Sequence, residues 1–459
     1  MSRPIMPALR LEARANLRLA APIIATQVTF MGMGTADTIM AGRYSAEGLA
    51  AVAVGANVWF LAFMVFMGIL MACSPIVAQR IGAGRSAGET GAFVRAALAF
   101  SVLLGLLWMA GMRLAADPVL DWLALGEPTR GYAHDYILAA SWSAMPLCLC
   151  FVARNTAEAH GLTRVALLAG LAGLFVNVLF DWLLMYGRLG FPQMGPEGCA
   201  WATVLAAATM VLVYAGQYRR IATLRALGVF RAEVPRLGED IGEILRLGLP
   251  IMLIVTAESW MFNIGALMMA RFGADTVAAH QVAINFAALS FMVPLSVGFA
   301  TTVRVGLAAG AGDAAAVRLR GHAGIAIGAC FALFSASVMA TMPATIVGLY
   351  TDAAAVTPLA VQFLYFAAVF QIFDCIQATA NGALRGVKDT RVPMLITVSA
   401  YWIVGLPLAW WLSFRTSTGP FGVWWGFIVS LAIAAAGLSA RFARRTRPRP
   451  QASGSVDMP

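Results

Sequence analysis

The sequence predicts an all-α integral membrane protein, with twelve transmembrane helices in two six-helix bundles related by a pseudo-two-fold axis along the membrane normal. Three observations predict it. Of the 459 residues, 60% are hydrophobic and only 12% charged, against roughly 25% charged in a soluble domain. Basic residues gather in alternate loops. The second half of the chain repeats the first in one ungapped register.

Apolar stretches of about 20 residues or more, long enough to cross a bilayer, recur from end to end. They fall near 15–40, 50–78, 92–115, 132–153, 163–186 and 196–217, then 245–271, 279–307, 322–346, 357–383, 391–413 and 420–441. Turn residues separate them, among them Gly82-Ala83-Gly84, Gly126-Glu127-Pro128, Gly310-Ala311-Gly312 and Thr418-Gly419-Pro420. No short apolar segment with a small-residue cleavage site precedes the first span, so no cleaved signal peptide is expected.

Lys and Arg near span ends are retained in the cytoplasm. Grouped by alternate loops, 26 of the 32 basic residues fall on one side and 6 on the other. The minority comprises Arg43, Arg113, Arg130, Arg188, Arg271 and Arg415. That asymmetry predicts both termini in the cytoplasm of a bacterial inner membrane. It also explains the net charge of +10 as a topological signal, so no nucleic-acid partner is expected.

The repeat is visible at a shift of 228 residues, which aligns 18–87 with 246–315. Arg18-Leu19 matches Arg246-Leu247, Pro22 matches Pro250, Arg43 matches Arg271 and Asn57 matches Asn285. Phe63-Met64-Val65 matches Phe291-Met292-Val293, and Gly82-Ala83-Gly84 matches Gly310-Ala311-Gly312. Six spans per half make the repeats parallel, with a site expected between them near the midplane. The divisions read as an N-terminal bundle (1–217), a cytoplasmic linker with a short surface helix (218–245), a C-terminal bundle (246–441) and a disordered basic tail (442–459).

Four carboxylates fall well inside spans: Asp37, Asp181, Glu258 and Asp374. No Lys or Arg is expected at their depth. A charge at the bilayer centre costs about 3 kcal/mol even on lenient scales, so each acid must be protonated, bind a cation or line a water-filled cavity. On the first span, Gln27, Phe30, Gly34 and Asp37 share a helical face by 3–4 spacing. On the fifth, Asn177 and Asp181 are one turn apart, an oxygen-rich pair suited equally to Na⁺ or a proton relay. Met261 and Phe262 follow Glu258, and Gln371, Asp374 and Asn381 share a stripe on the tenth span. These neighbours are candidate cavity-lining residues, because flexible methionine and flat rings suit promiscuous apolar binding. The shift places Asp37 opposite Gly265 and Glu258 opposite Phe30, so the scaffold is duplicated but its acids are not.

The six cysteines, Cys73, Cys148, Cys150, Cys199, Cys330 and Cys375, lie in apolar segments without metal-ligand spacing and read as small buried hydrophobes. The histidines at 134, 160, 280 and 322 do not cluster.

On these residues the chain resembles the multidrug and toxic compound extrusion family, in its bacterial NorM-like branch. The resemblance rests on Asp37-Thr38-Ile39-Met40-Ala41-Gly42, on Pro75-Ile76-Val77-Ala78-Gln79-Arg80-Ile81-Gly82-Ala83, on Pro250 with Glu258, and on Leu384-Arg385-Gly386-Val387-Lys388-Asp389-Thr390 after Asp374. It covers about residues 10–440. It implies a secondary transporter that exports small cationic, amphipathic or lipophilic compounds in antiport with Na⁺ or H⁺, with no other cofactor, acting as a monomer. It also implies that Glu258 and Asp374, or Asp37 with Asn177 and Asp181, hold the coupling ion. Thr203 on the sixth span is a weaker candidate for the latter site.

Rival readings fit less well. A lipid-linked oligosaccharide flippase of the same superfamily would favour intramembrane Arg or Lys. A major-facilitator protein would carry a basic, glycine-rich motif that 79–95 does not match. With no HExxH motif and no P-loop, an enzyme or ATP-driven pump is not expected.

Overall fold

The computed structural model describes residues 5–231 and 237–447. Among them are twelve helices long and apolar enough to span a membrane. The first six are α1 (Ile5–Tyr44), α2 (Ala46–Gly82), α3 (Ala87–Leu123), α4 (Thr129–Ala159), α5 (Thr163–Met185) and α6 (Pro196–Arg220). The second six are α7 (Leu237–Phe272), α8 (Ala274–Gly310), α9 (Ala314–Thr341), α10 (Thr357–Gly386), α11 (Arg391–Arg415) and α12 (Phe421–Arg445).

Local chemistry marks several starts. The Ser45 side chain accepts from Gly48 N at α2, and Asp313 from Ala316 N at α9. Ser86 and Glu89 form a reciprocal capping box at α3, satisfying amides that a helix start leaves unpaired. Proline opens α6 at Pro196, where its missing N–H costs nothing. The equivalent helices α5 and α11 each contain a π-type stretch, at Asp181–Met185 and Ser399–Gly405.

Each bundle has its own core, around Trp108 and Phe93 in the first and Trp424, Phe363 and Phe427 in the second. Large apolar side chains such as Leu107, Leu267 and Phe334 remain on the outside, where a spanning helix meets lipid hydrocarbon. The first core also takes in Ile244, Leu247 and Ile251 from the start of α7.

Polar links between the halves gather at the arginine-rich end. Asn16 Nδ2 donates to Thr301 Oγ1 (2.9 Å) and Gln79 Nε2 to the Gly386 carbonyl (2.8 Å). Arg80 bridges to Asp240 (2.7 Å) and Glu243 (3.0 Å), and Arg304 pairs with Glu12. The backbones also meet there. A Cβ on Gly82 would stand 2.8 Å from the Leu307 carbonyl carbon, and one on Gly310 would stand 2.8 Å from that of Gln79. Since 82 + 228 = 310 and 79 + 228 = 307, the two contacts exchange under the pseudo-two-fold operation.

Two boundary expectations change. Among the described residues between α6 and α7, only Ala222–Arg225 is helical, and α6 continues to Arg220 while α7 is described from Leu237. The tail is not disordered from 442, because Phe442 is buried against Gly321 and carries α12 through Arg445. Residues 232–236 of the linker and 448–459 of the tail lie outside the described residues.

Candidate functional site

The first cluster forms where α1, α5 and α6 meet. Asn177 Nδ2 donates to Asp37 Oδ1 (3.1 Å), so the α5 pair faces the α1 acid. Asp181 opens the π-type stretch; such a bulge rotates the helix against its regular phase and recurs at functional sites. The start of α6 packs directly on this stretch. A Cβ on Gly198 would lie 2.8 Å from the Leu184 carbonyl carbon and the Met185 nitrogen, so only glycine permits the approach. The next residue, Cys199, is thereby brought to the acids. One ligand atom from each of Asp37, Asp181 and Cys199 lies within 4.8 Å of the others.

Asn177, Asp181 and Cys199 are fully buried, whereas Asp37 is partly exposed. Neither carboxylate oxygen of Asp181 has a hydrogen-bond partner, nor does Asn177 Oδ1. A buried polar atom left unpaired costs about 1–3 kcal/mol, and such orphans gathered at one point indicate a place for a cation, proton or water. Thr203 stands one turn beyond Cys199 and donates to the Cys199 carbonyl (3.3 Å). The sequence expectation is therefore corrected: Cys199, read as inert filler, stands beside the acids, and the Thr203 hydroxyl is turned to its own helix.

The second cluster lies within the second bundle. Gln377 Nε2 on α10 donates to Glu258 Oε2 on α7 (3.4 Å). Asp374 is within electrostatic reach of Glu258. The buried Tyr401 hydroxyl, on the π-type stretch of α11, is within electrostatic reach of both acids and has no hydrogen-bond partner. Asp374 Oδ1, Gln371 Oε1 and Asn381 Oδ1 are also buried and unpaired, so the predicted stripe on α10 is inward-facing. Gln377 and Tyr401 were not singled out from the sequence. Gln377 lies one turn from Asp374, a signal that could have found it, whereas nothing in the linear pattern points to Tyr401.

Two further expectations are corrected. Buried arginines do stand inside the bundles, one of them within electrostatic reach of a predicted site acid. Arg385 is buried and lies within electrostatic reach of Glu258, and Arg154 is buried with its Nε 2.7 Å from Glu158 and its Nη2 3.0 Å from the Gln27 amide oxygen. The two guanidinium carbons flank the Phe299 ring at 5.6 and 5.9 Å, one from each half. Both arginines sit near span ends and count as loop charges in a linear reading, but long side chains can extend inward from there. Arg154 also lies 5.8 Å from the Phe30 ring, so Gln27 and Phe30 contact a buried cation. Met261 is fully enclosed, with its sulfur accepting from Ser430, and belongs to the core rather than a cavity wall. Phe262 packs edge-on against Phe370 and Phe427.

The MatE family description matches this chain twice, over residues 22–183 and 250–411. The chain belongs to the MatE family. The two matches are offset by the repeat shift, since 250 − 22 = 228 and 411 − 183 = 228. The chain is 38% identical over 457 residues to multidrug resistance protein PmpM of Pseudomonas aeruginosa, covering 97% of this chain and 95% of the relative. It is 36% identical over 446 residues to multidrug resistance protein NorM of Vibrio vulnificus, covering 94% and 95%. Among solved structures, the eukaryotic MATE transporter AtDTX14 superposes with a TM-score of 0.85 at 18% identity, covering 96% of this chain and 99% of that one. The outward-facing conformation of a multidrug resistance MATE family transporter superposes with 0.85 at 22% identity, covering 97% and 98%. At these identities the structures show the shared fold. Asp37, Asn177 and Asp181 fall inside the first MatE segment and Glu258, Asp374, Arg385 and Tyr401 inside the second, while Cys199 lies outside both.

Proposed function

We propose that the chain is a secondary active multidrug efflux transporter of the bacterial inner membrane, exporting cationic lipophilic compounds in antiport with Na⁺ or H⁺ by alternating access. The carrying observation is the pairing of two acid clusters, one in each bundle, with buried carboxylate oxygens that lack donors. Relatives covering nearly the whole chain are named multidrug resistance proteins, which supports the substrate class. With both termini cytoplasmic, the linked arginine-rich end is the cytoplasmic side, and this conformation is closed toward the cytoplasm.

The chemistry follows from the acids. A carboxylate cluster in a dry interior favours whichever cation neutralises it. A proton, Na⁺ and an organic cation therefore compete for Glu258 and Asp374, or for Asp37 with Asn177 and Asp181. Ion entry from outside weakens drug binding, and linkage makes drug weaken ion binding by the same factor. Arg385, buried and within electrostatic reach of Glu258, offsets part of the cluster's negative charge when neither ligand is bound.

The test is dye efflux from proteoliposomes with Na⁺ and pH gradients imposed separately. Efflux driven by one gradient and reduced at least tenfold by Asp37→Asn or Asp181→Asn supports the reading with the first-half acids as coupling groups. Efflux that ignores both gradients overturns it.

A further inference from the structure

We infer that the cavity between the end of α6 and the start of the linker is a binding site for the headgroup phosphate of an anionic phospholipid, held by Arg219 and Arg225. The cavity has a volume of about 310 Å³ and is lined by Tyr218, Arg219, Arg225, Gly228, Phe230 and Arg231 among others. Among the described residues its lining holds arginines and no carboxylate. That volume is at the lower end of the roughly 300–1,000 Å³ typical of ligand sites, enough for a headgroup but not for acyl chains.

The walls are fixed from below. Leu224 and Leu227 are buried, and a Cβ on Gly91 of α3 would stand 2.7 Å from the Leu227 carbonyl carbon, so the linker lies directly on that helix. Arg95 Nη1 donates to the Gly228 carbonyl (3.0 Å), and Gly228, at φ 60°, turns the chain back toward α6. The Tyr218 hydroxyl is already spent on the Ala153 carbonyl (2.9 Å), which leaves the guanidinium groups to recognise the ligand. Arg219 stands over the Phe230 ring at 4.8 Å. Stacking occupies the face of a guanidinium and leaves its edge N–H groups for the paired hydrogen bonds that phosphate accepts.

The second observation decides for a lipid over a free anion. Arg219 is exposed, and seven residues earlier on the same face of α6 stands Leu212, 71% exposed. Two helical turns, about 10 Å, therefore separate a side chain that meets hydrocarbon from the mouth of the cavity. An acyl chain can lie along the Leu212 face while its phosphate reaches Arg219. Phe230, 56% exposed beside the same arginine, is placed as aromatic rings are at a membrane interface. The cavity lies outside both MatE segments and apart from both acid clusters, so the inference goes beyond the proposed transport function and needs no gradient to test.

The experiment is native mass spectrometry of the full chain in detergent, titrated with phosphatidylglycerol, phosphatidylcholine and inorganic phosphate. One phosphatidylglycerol per chain should bind more tightly than any further copies and at least tenfold more tightly than phosphatidylcholine, whose ammonium cancels the phosphate charge. An equal concentration of inorganic phosphate should not displace it. Arg219→Gln with Arg225→Gln should weaken this binding about 25-fold, about fivefold for each arginine lost near an anionic headgroup. Arg10→Gln with Arg14→Gln, which removes the same charge from exposed positions of α1, should leave it unchanged. A phosphatidylglycerol with a photoreactive group in its acyl chain should crosslink to α6 around Leu212 in the unmodified chain, which decides the matter if the arginine variant does not fold. Equal affinity for the two lipids, displacement by inorganic phosphate, an unchanged affinity in the folded Arg219–Arg225 variant, or crosslinks that avoid α6 would overturn the assignment.

Discussion

Replacing Gly82 and Gly310 by alanine should prise the halves apart at the arginine-rich end. Each added Cβ would stand 2.8 Å from a carbonyl carbon of the opposite half, where ordinary contact begins at 3.4 Å. Each contact must therefore open by at least 0.6 Å (3.4 − 2.8). The opposing atoms are backbone, so rotamer adjustment offers no relief. Overpacking of this kind costs about 1–3 kcal/mol, which shifts a two-state equilibrium about 5–150-fold. The two contacts share one interface, so their effects should couple rather than add. The ion pairs nearby are the lesser force. Glu243 lies between Arg80 and Lys388 with side-chain exposures of 30%, 24% and 24%, and partly exposed pairs contribute about 0.2–1 kcal/mol. Glu243→Gln should therefore move the equilibrium less than either alanine. Nitroxide labels at Ala87 and Ala315, which are exposed and equivalent under the repeat (87 + 228 = 315), would read the separation by pulsed electron resonance in a Cys330→Ser background. Longer distances are expected for Gly82→Ala and longest for the double variant. Gly111→Ala, with nothing within 4 Å of its added Cβ, is the control. An unchanged distance distribution in a folded double variant would refute the reasoning.

Glu258→Gln, Asp374→Asn and their double variant should slow gradient-driven dye efflux to a similar extent, because each breaks the same coupled cluster; a double variant much slower than either single would separate their roles. Glu158→Gln should destabilise the protein by about 3–5 kcal/mol, since it strands the Arg154 guanidinium, and both side chains of that pair are under 10% exposed (8% and 3%). Thermal unfolding should find Arg154→Met with Glu158→Leu closer to wild type than Glu158→Gln alone. Reporter fusions after Arg445 and near Asp352 should report opposite sides of the membrane, and equal sidedness would contradict cytoplasmic termini.

The twelve helices were legible in the sequence because lipid imposes a one-dimensional rule. Every spanning segment must be long and apolar, and basic residues between spans record sidedness without reference to any contact. The duplicated frame was legible for a related reason: Gly82 and Gly310 recur at the repeat spacing because each must meet a backbone in the other half. The acids were legible because a carboxylate within an apolar run is conspicuous wherever the helix points. Tertiary structure decided which partners those acids meet. In the sequence Cys199 reads as a small buried hydrophobe and Thr203, one turn on along α6, as the weaker site candidate, but the close seating of Gly198 on the π-type stretch brings Cys199 to Asp181. Arg385 and Arg154 read as loop charges because hydropathy locates a residue by its Cα, whereas a long side chain places its charge several ångströms away. Tyr401 required the π-type stretch of α11, whose extra residue per turn breaks the 3.6-residue period on which a linear reading depends. Helix existence is set locally by the solvent each segment must satisfy, while the composition of each site is set by helix phase and side-chain reach, which only packing fixes.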